Sequence, residues 1–134
     1  MLDPASFIAD PELFHALEER STSVACDEDL LLFRQGEPPV GLYILHNGEA
    51  TLSMDSDEGV PILSVKTLAG SLLGLPSLLG NQGYSMTAVA HAGAQVSFVP
   101  VAEFTALMEA NPHLSLKILK GLANEVRSAR RALY

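Results

Sequence analysis

Four histidines, one cysteine and three small acidic clusters are the residues of this chain best equipped for chemistry. His15, His46, His91 and His113 stand apart from one another. A metal site on a strand needs clustered ligands, typically two histidines one residue apart. Only His46 has an acid, Glu49, within three residues on a plausible strand. Cys26 is alone, which excludes a disulfide framework, a cysteine-bound iron–sulfur cluster and a thiolate zinc quartet. The carboxylates Glu18-Glu19, Asp27-Glu28-Asp29 and Asp55 to Glu58 fall at helix ends and turn loops, where solvation accounts for them. Neither a Gly-x-Ser-x-Gly elbow nor a phosphate-binding P-loop occurs. These residues argue for a binding module without metal or cofactor, not for an enzyme.

A stretch without charge is the more telling feature. From Thr67 to Ala102 the chain runs 36 residues with no Asp, Glu, Lys or Arg. Gly70, Gly74, Pro76, Gly80, Gly83, Gly93 and Pro100 interrupt it too often for a membrane-spanning helix. Its centre, Gly70-Ser-Leu-Leu-Gly-Leu-Pro-Ser77, predicts a tight turn feeding a short helix, with a strand over Tyr84 to Ala90. That layout suits a ligand pocket. A pocket there would hold no fixed countercharge for an anion.

The surrounding elements must place that stretch. At 134 residues the chain fits one domain with its own core. Within an N-terminal helical segment, residues 1–21, the helix starts at Asp10-Pro11, an N-cap followed by proline at the first helical position. Residues 22–99 read as short strands, over Leu30 to Phe33, Leu42 to His46, Ala50 to Met54, Ile62 to Leu68, Tyr84 to Ala90 and Gln95 to Val99. Asn47-Gly48 predicts a type I′ hairpin, and Asp57-Glu58-Gly59 a second hairpin with a longer loop. Residues 100–134 turn helical again. Phe104, Leu107 and Met108 form one short amphipathic face, and Asn111-Pro112 repeats the N-cap and proline pairing to open a long helix. On that helix Leu119, Leu122, Val126, Ala129 and Leu133 recur at coiled-coil spacing. Leu114, Ile118 and Leu122 form an adjoining stripe. The two stripes predict packing on the parent domain with one and homodimerisation with the other. The fold expected is mainly β with flanking helices: an antiparallel β-roll of jelly-roll type, an N-terminal helix and a long C-terminal dimerisation helix.

Charge limits the partners. The net charge is −8, which argues against nucleic-acid binding by this chain. The N-terminus lacks the basic and apolar regions of a signal peptide, so the expected setting is cytoplasmic.

The order and spacing of several motifs name a family. Phe33-Arg-Gln-Gly36-Glu37, then Leu42-Tyr43-Ile-Leu-His-Asn-Gly48-Glu, resembles the start of the cyclic-nucleotide-binding domains of Crp/Fnr regulators. Gly70-Ser-Leu-Leu-Gly74, Tyr84-Ser85, Val96-Ser-Phe-Val-Pro-Val-Ala-Glu-Phe104 and Asn111-Pro112 continue the match, over roughly residues 7–133. The resemblance implies a sensor domain of signal-dependent transcriptional regulation. In relatives that bind cyclic AMP, a cassette glutamate holds the ribose hydroxyl, and an arginine with backbone N–H groups meets the phosphate. Carried over, the cassette glycine is Gly74 and its serine is Ser85, but Leu75 stands at the glutamate position and Tyr84 at the arginine. The base-contacting hydroxyls of the long helix fall at Ala129 and Arg130.

Magnitude gives that loss its meaning. Charge-assisted hydrogen bonds contribute about 1.5–3 kcal/mol each, so losing both removes about two to four decades of affinity. The expected pocket has Leu73, Gly74, Leu75, Pro76, Ser77, Tyr84, Ser85 and Met86 around it, with Arg130 near its mouth. It would take a small neutral or hydrophobic effector, or stand collapsed in a structural dimer module, or hold a cyclic nucleotide weakly through backbone donors alone. The winged-helix DNA-binding half of such regulators has no counterpart within residues 1–134.

Overall fold

The computed structural model describes residues 6–8, 10–80 and 82–120. Nine strands and four helices follow one another there: β1 (Ser6–Ile8), α1 (Pro11–Glu18), β2 (Thr22–Val24), β3 (Leu30–Phe33), β4 (Gly41–Asn47), β5 (Ala50–Asp55), β6 (Pro61–Thr67), β7 (Ser71–Leu73), α2 (Leu75–Gly80), β8 (Thr87–Ala90), β9 (Gln95–Pro100) and α3 (Val101–Ala110), then α4 (residues 112–120). Two antiparallel sheets face each other, in the orders β1-β7-β4-β9-β2 and β3-β8-β5-β6. This is the β-roll with flanking helices that the sequence predicts.

The uncharged run explains its own composition. It supplies β7, β8 and β9, each flanked by a strand on both sides, and such strands have little water to hold a charge against. By contrast β6, at a sheet edge, carries Lys66 and leaves Ile62 exposed.

Two apolar layers result. Between the sheets lie Leu32, Phe33, Leu45, Leu52, Leu73, Tyr84, Met86 and Val96. On the far side of the five-stranded sheet, Leu42, Ile44, Leu72 and Val99 meet Leu13 and Leu17 of α1, Leu75 of α2, Phe104 and Leu107 of α3, and Leu114 and Ile118 of α4. Period-2 alternation along β4 sends its side chains to the two layers in turn.

Several details depart from the sequence expectation. Asn47-Gly48 does not close a hairpin: β4 and β5 belong to different sheets, so this turn carries the chain around the corner of the roll. Gly48, with φ of 87°, packs so closely that a Cβ there would meet the Ala94 Cα at 2.8 Å. The Asp57–Gly59 hairpin does form, joining β5 to β6. The strand expected from Tyr84 begins only at Thr87. Before it, the Tyr84 N–H donates to the Glu37 carbonyl at 3.0 Å and the Gly36 N–H donates to the Tyr84 carbonyl at 2.7 Å, which ties this segment to the turn after β3.

At the chain start, Asp10 caps α1 as expected, its carboxylate accepting from the Glu12 N–H at 2.9 Å. Strand β1, absent from the helical segment read there, pairs with β7 through Ser6↔Leu73. Three residues are too few for alternation to show. Asn111 was expected to cap α4 with its side chain. Its amide instead donates backwards to the Leu107 carbonyl at 3.2 Å, closing α3. Of the five expected dimer-seam residues, Leu119 is 59% exposed, while Leu122, Val126, Ala129 and Leu133 lie outside the described residues, as does Arg130.

Candidate functional site: the cradle between β7, α2 and the Tyr84 segment

Gly74 forms the bend between β7 and α2, with φ of 90°, a conformation that favours glycine. Leu73 before it and Leu75 after it are both fully buried, on opposite layers: Leu73 lies between the sheets and Leu75 among the helices. The bend itself makes this division. The two residues therefore do not line one cavity.

The space in front of Gly74 belongs to aromatic rings. A Cβ at Gly74 would come within 3.0 Å of Tyr84 Cε1 and 3.4 Å of Phe33 Cε2. Tyr84 stacks on Phe33 with ring centroids 4.0 Å apart, and Phe33 in turn faces Tyr43 at 6.1 Å. The Tyr84 hydroxyl is fully engaged. It donates to the Gly41 carbonyl at 2.7 Å and accepts from the Val40 and Gly41 N–H groups at 3.1 and 3.3 Å. Tyr84 is only 3% exposed. Burial, with Tyr84 nearby, pushes the Tyr43 phenol above the ordinary tyrosine range.

The remaining cradle residues divide by exposure. Met86 is fully buried between the sheets and Ser77 is buried in α2, whereas Pro76 is half-buried and Ser85 is exposed. Of the polar groups expected there, the Tyr84 hydroxyl is bonded within the core, Ser77 is buried in α2 and Ser85 lies at the surface.

Within this fold the decisive comparison is with families. Residues 24–111 match the family model described as the cyclic nucleotide-binding domain. The chain belongs to that family. A comparison with curated protein sequences finds no match. Among solved structures, this cyclic nucleotide-binding domain is similar to the catabolite activator protein of Thermus thermophilus, with TM-score 0.78 and 22% identity over 92% of this chain and 58% of that one. It is similar also to the sensor domain of the transcriptional regulator DNR from Pseudomonas aeruginosa, with TM-score 0.70 and 22% identity over 91% of this chain and 82% of that one. The N-terminal domain of a transcriptional regulator from Streptomyces coelicolor gives TM-score 0.70 and 20% identity over 93% and 87%. At these identities the likeness is one of fold, the fold of Crp/Fnr-type regulators. The chain spans 58% of the Thermus protein's length.

Away from the cradle, three of the four histidines take separate partners. His46 Nε2 lies 2.8 Å from Ser97 Oγ and its Nδ1 3.5 Å from Glu18. His91 meets Thr51 at 2.6 Å, and His113 meets Glu12 at 2.7 Å. Glu49, the acid nearest His46 in sequence, faces Lys66 instead, at 3.8 Å. Among the described residues no group of three or more His, Cys, Asp and Glu side chains is arranged to hold a metal ion. The Glu18–His46–Ser97 set escaped the sequence reading because it depends on the β4–β9 register, Ile44↔Ser97, and no local motif encodes that register.

Proposed function

We propose that this domain is the sensor or regulatory part of a signal-dependent transcriptional regulator, working in the cytoplasm as a homodimer through its C-terminal helix. Its cradle does not hold cyclic AMP in the family's usual mode. The observation that carries this reading is Tyr84, at the cassette-arginine position, with its ring over Gly74 and its hydroxyl bonded to the Gly41 and Val40 backbone. Leu75, at the glutamate position, is fully buried in the helical layer. A carboxylate there would face apolar side chains, a costly setting for a charge.

For dimerisation, support comes from α4, which buries Leu114 and Ile118 on its own domain while Leu116 and Leu119 stay 57% and 59% exposed. Among the described residues no helix is long and apolar enough to cross a membrane.

A second reading, a dimer module whose cradle takes no effector at all, is favoured by the packing of Leu73, Tyr84 and Met86 in the same core as Phe33 and Leu52. One experiment addresses both. Amide spectra of the 15N-labelled protein are recorded as cyclic AMP is added to about 1 mM, with the amides of Gly74 and Ser85 as reporters. The proposal expects them to stay in place; saturable shifts at both would overturn it. Shifts there with a small neutral metabolite instead would favour the effector-binding form over the module.

A further inference from the structure

Beyond the cradle, an open groove of about 560 Å³ runs between the end of α1, edge strand β2 and strands β4 and β9. Its volume falls within the range of small-molecule sites. We propose that this groove binds a small organic amine in its protonated form.

The groove has an ordered polar floor. Ser97 is 5% exposed, and its hydroxyl lies 2.8 Å from His46 Nε2. The imidazole sits edge-on to Phe14, with ring centroids 5.6 Å apart at 88°, and its Nδ1 lies 3.5 Å from Glu18 Oε2. With the Ser97 hydroxyl donating to Nε2, the imidazole keeps its proton on Nδ1, the nitrogen that faces the Glu18 carboxylate. Among the described residues Glu18 is the single carboxylate lining the groove and no Lys or Arg lines it; the Glu18 side chain is 44% exposed. Its charge is thus offered to the groove.

Ligand chemistry follows from that lining. An anion would meet a carboxylate and, among the described lining residues, no fixed cation. A wholly apolar molecule would cover the half-exposed Glu18 carboxylate without giving its charge a partner. A protonated amine pairs with Glu18 by a charge-assisted hydrogen bond. Its carbon frame lies on Val24 and Ala94, and a hydroxyl or second amine reaches Ser23 or Gln95 at the exposed rim. The net charge of −8 adds a general attraction for cations. The Ser97–His46–Glu18 order is also that of a nucleophilic triad. Acyl transfer nevertheless needs backbone donors free to hold an oxyanion. Ser97 lies on β9 with ladder partners on both sides, Ile44 and Ser23, so the floor serves binding and not catalysis.

The test titrates the 15N-labelled full chain with ethanolamine and with putrescine, using acetate and glycerol as controls. Saturable amide shifts at Ser23 and Gln95 with a Kd of about 1–10 mM or tighter, seen for an amine and not for either control, are the expected result. Glu18→Gln should weaken that binding about tenfold or more, as should Ser23→Leu, which fills the rim if the first variant folds poorly. Glu28→Gln, on a separate acidic turn, should leave it unchanged. No saturation by either amine, equal affinity in Glu18→Gln and Ser23→Leu, or an equal loss in Glu28→Gln would each overturn the proposal, the last by showing diffuse attraction to an acidic surface.

Discussion

The Tyr84 hydroxyl donates a 2.7 Å hydrogen bond to the carbonyl of Gly41, 43 residues earlier in the chain. That bond joins the segment before β8 to the first residue of β4. It commits to the core a side chain that stands where the family resemblance implies an arginine for a phosphate.

Removing that hydroxyl should therefore cost stability and bring no ligand. Tyr84→Phe leaves the ring stacked on Phe33 but strips the partner from the Gly41 carbonyl and the Val40 and Gly41 amides. A loss of about 1–3 kcal/mol is expected in urea unfolding, with the denaturant slope unchanged. Cyclic AMP should not raise the variant's midpoint.

Leu75→Glu, which restores the cassette acid, should fail as a repair. The position is fully buried among Leu13, Leu17 and Phe104, so the variant loses the packing of a leucine and buries a carboxyl. A loss of at least about 3 kcal/mol is expected, whereas Leu75→Met should cost less than about 1.5 kcal/mol. Paired chemical denaturation curves measure both.

Acid should loosen the tie between α1 and α4. The hydrogen bond from His113, with Lys117 adding its charge, holds the Glu12 carboxyl below the ordinary glutamate range. A carboxyl with a depressed value binds protons less readily folded than unfolded. Its stabilisation is thus present above the ordinary value and lost as pH falls through the depressed one. The melting-temperature difference between the wild type and Glu12→Gln should be present at neutral pH, shrink in high salt and fade as pH drops below the ordinary glutamate range.

Cys26 should be slow to alkylate in the native protein. Burial, and then the charge of Asp27, pushes its thiol above the ordinary range, so less of the reactive thiolate is present at neutral pH. The residue is also only 6% exposed. Iodoacetamide labelling followed by mass spectrometry should be about tenfold or more slower than for the urea-unfolded chain.

Much of this architecture could be read from the chain because local signals carried it. Asp10-Pro11 announced α1, the Asp57–Gly59 turn announced the β5–β6 hairpin, and the spacing of Phe104, Leu107 and Met108 announced α3. Features decided by distant pairing could not be read in the same way. Asn47-Gly48 has the chemistry of a hairpin turn, yet β4 finds its partners in β7 and β9. The substitutions at Leu75 and Tyr84 were visible as lost charge. That Leu75 turns away from Leu73 into the helical layer follows from the bend at Gly74, and Tyr84's place in the core from its bond to Gly41 across 43 residues. The groove below α1 depends on the same kind of contact.

Isothermal titration calorimetry of the purified chain with cyclic AMP, repeated with cyclic GMP, tests the central claim most directly. With aromatic rings over Gly74 and neither cassette charge in place, no heat of binding is expected at micromolar nucleotide. A dissociation constant in the low micromolar range or tighter would contradict it.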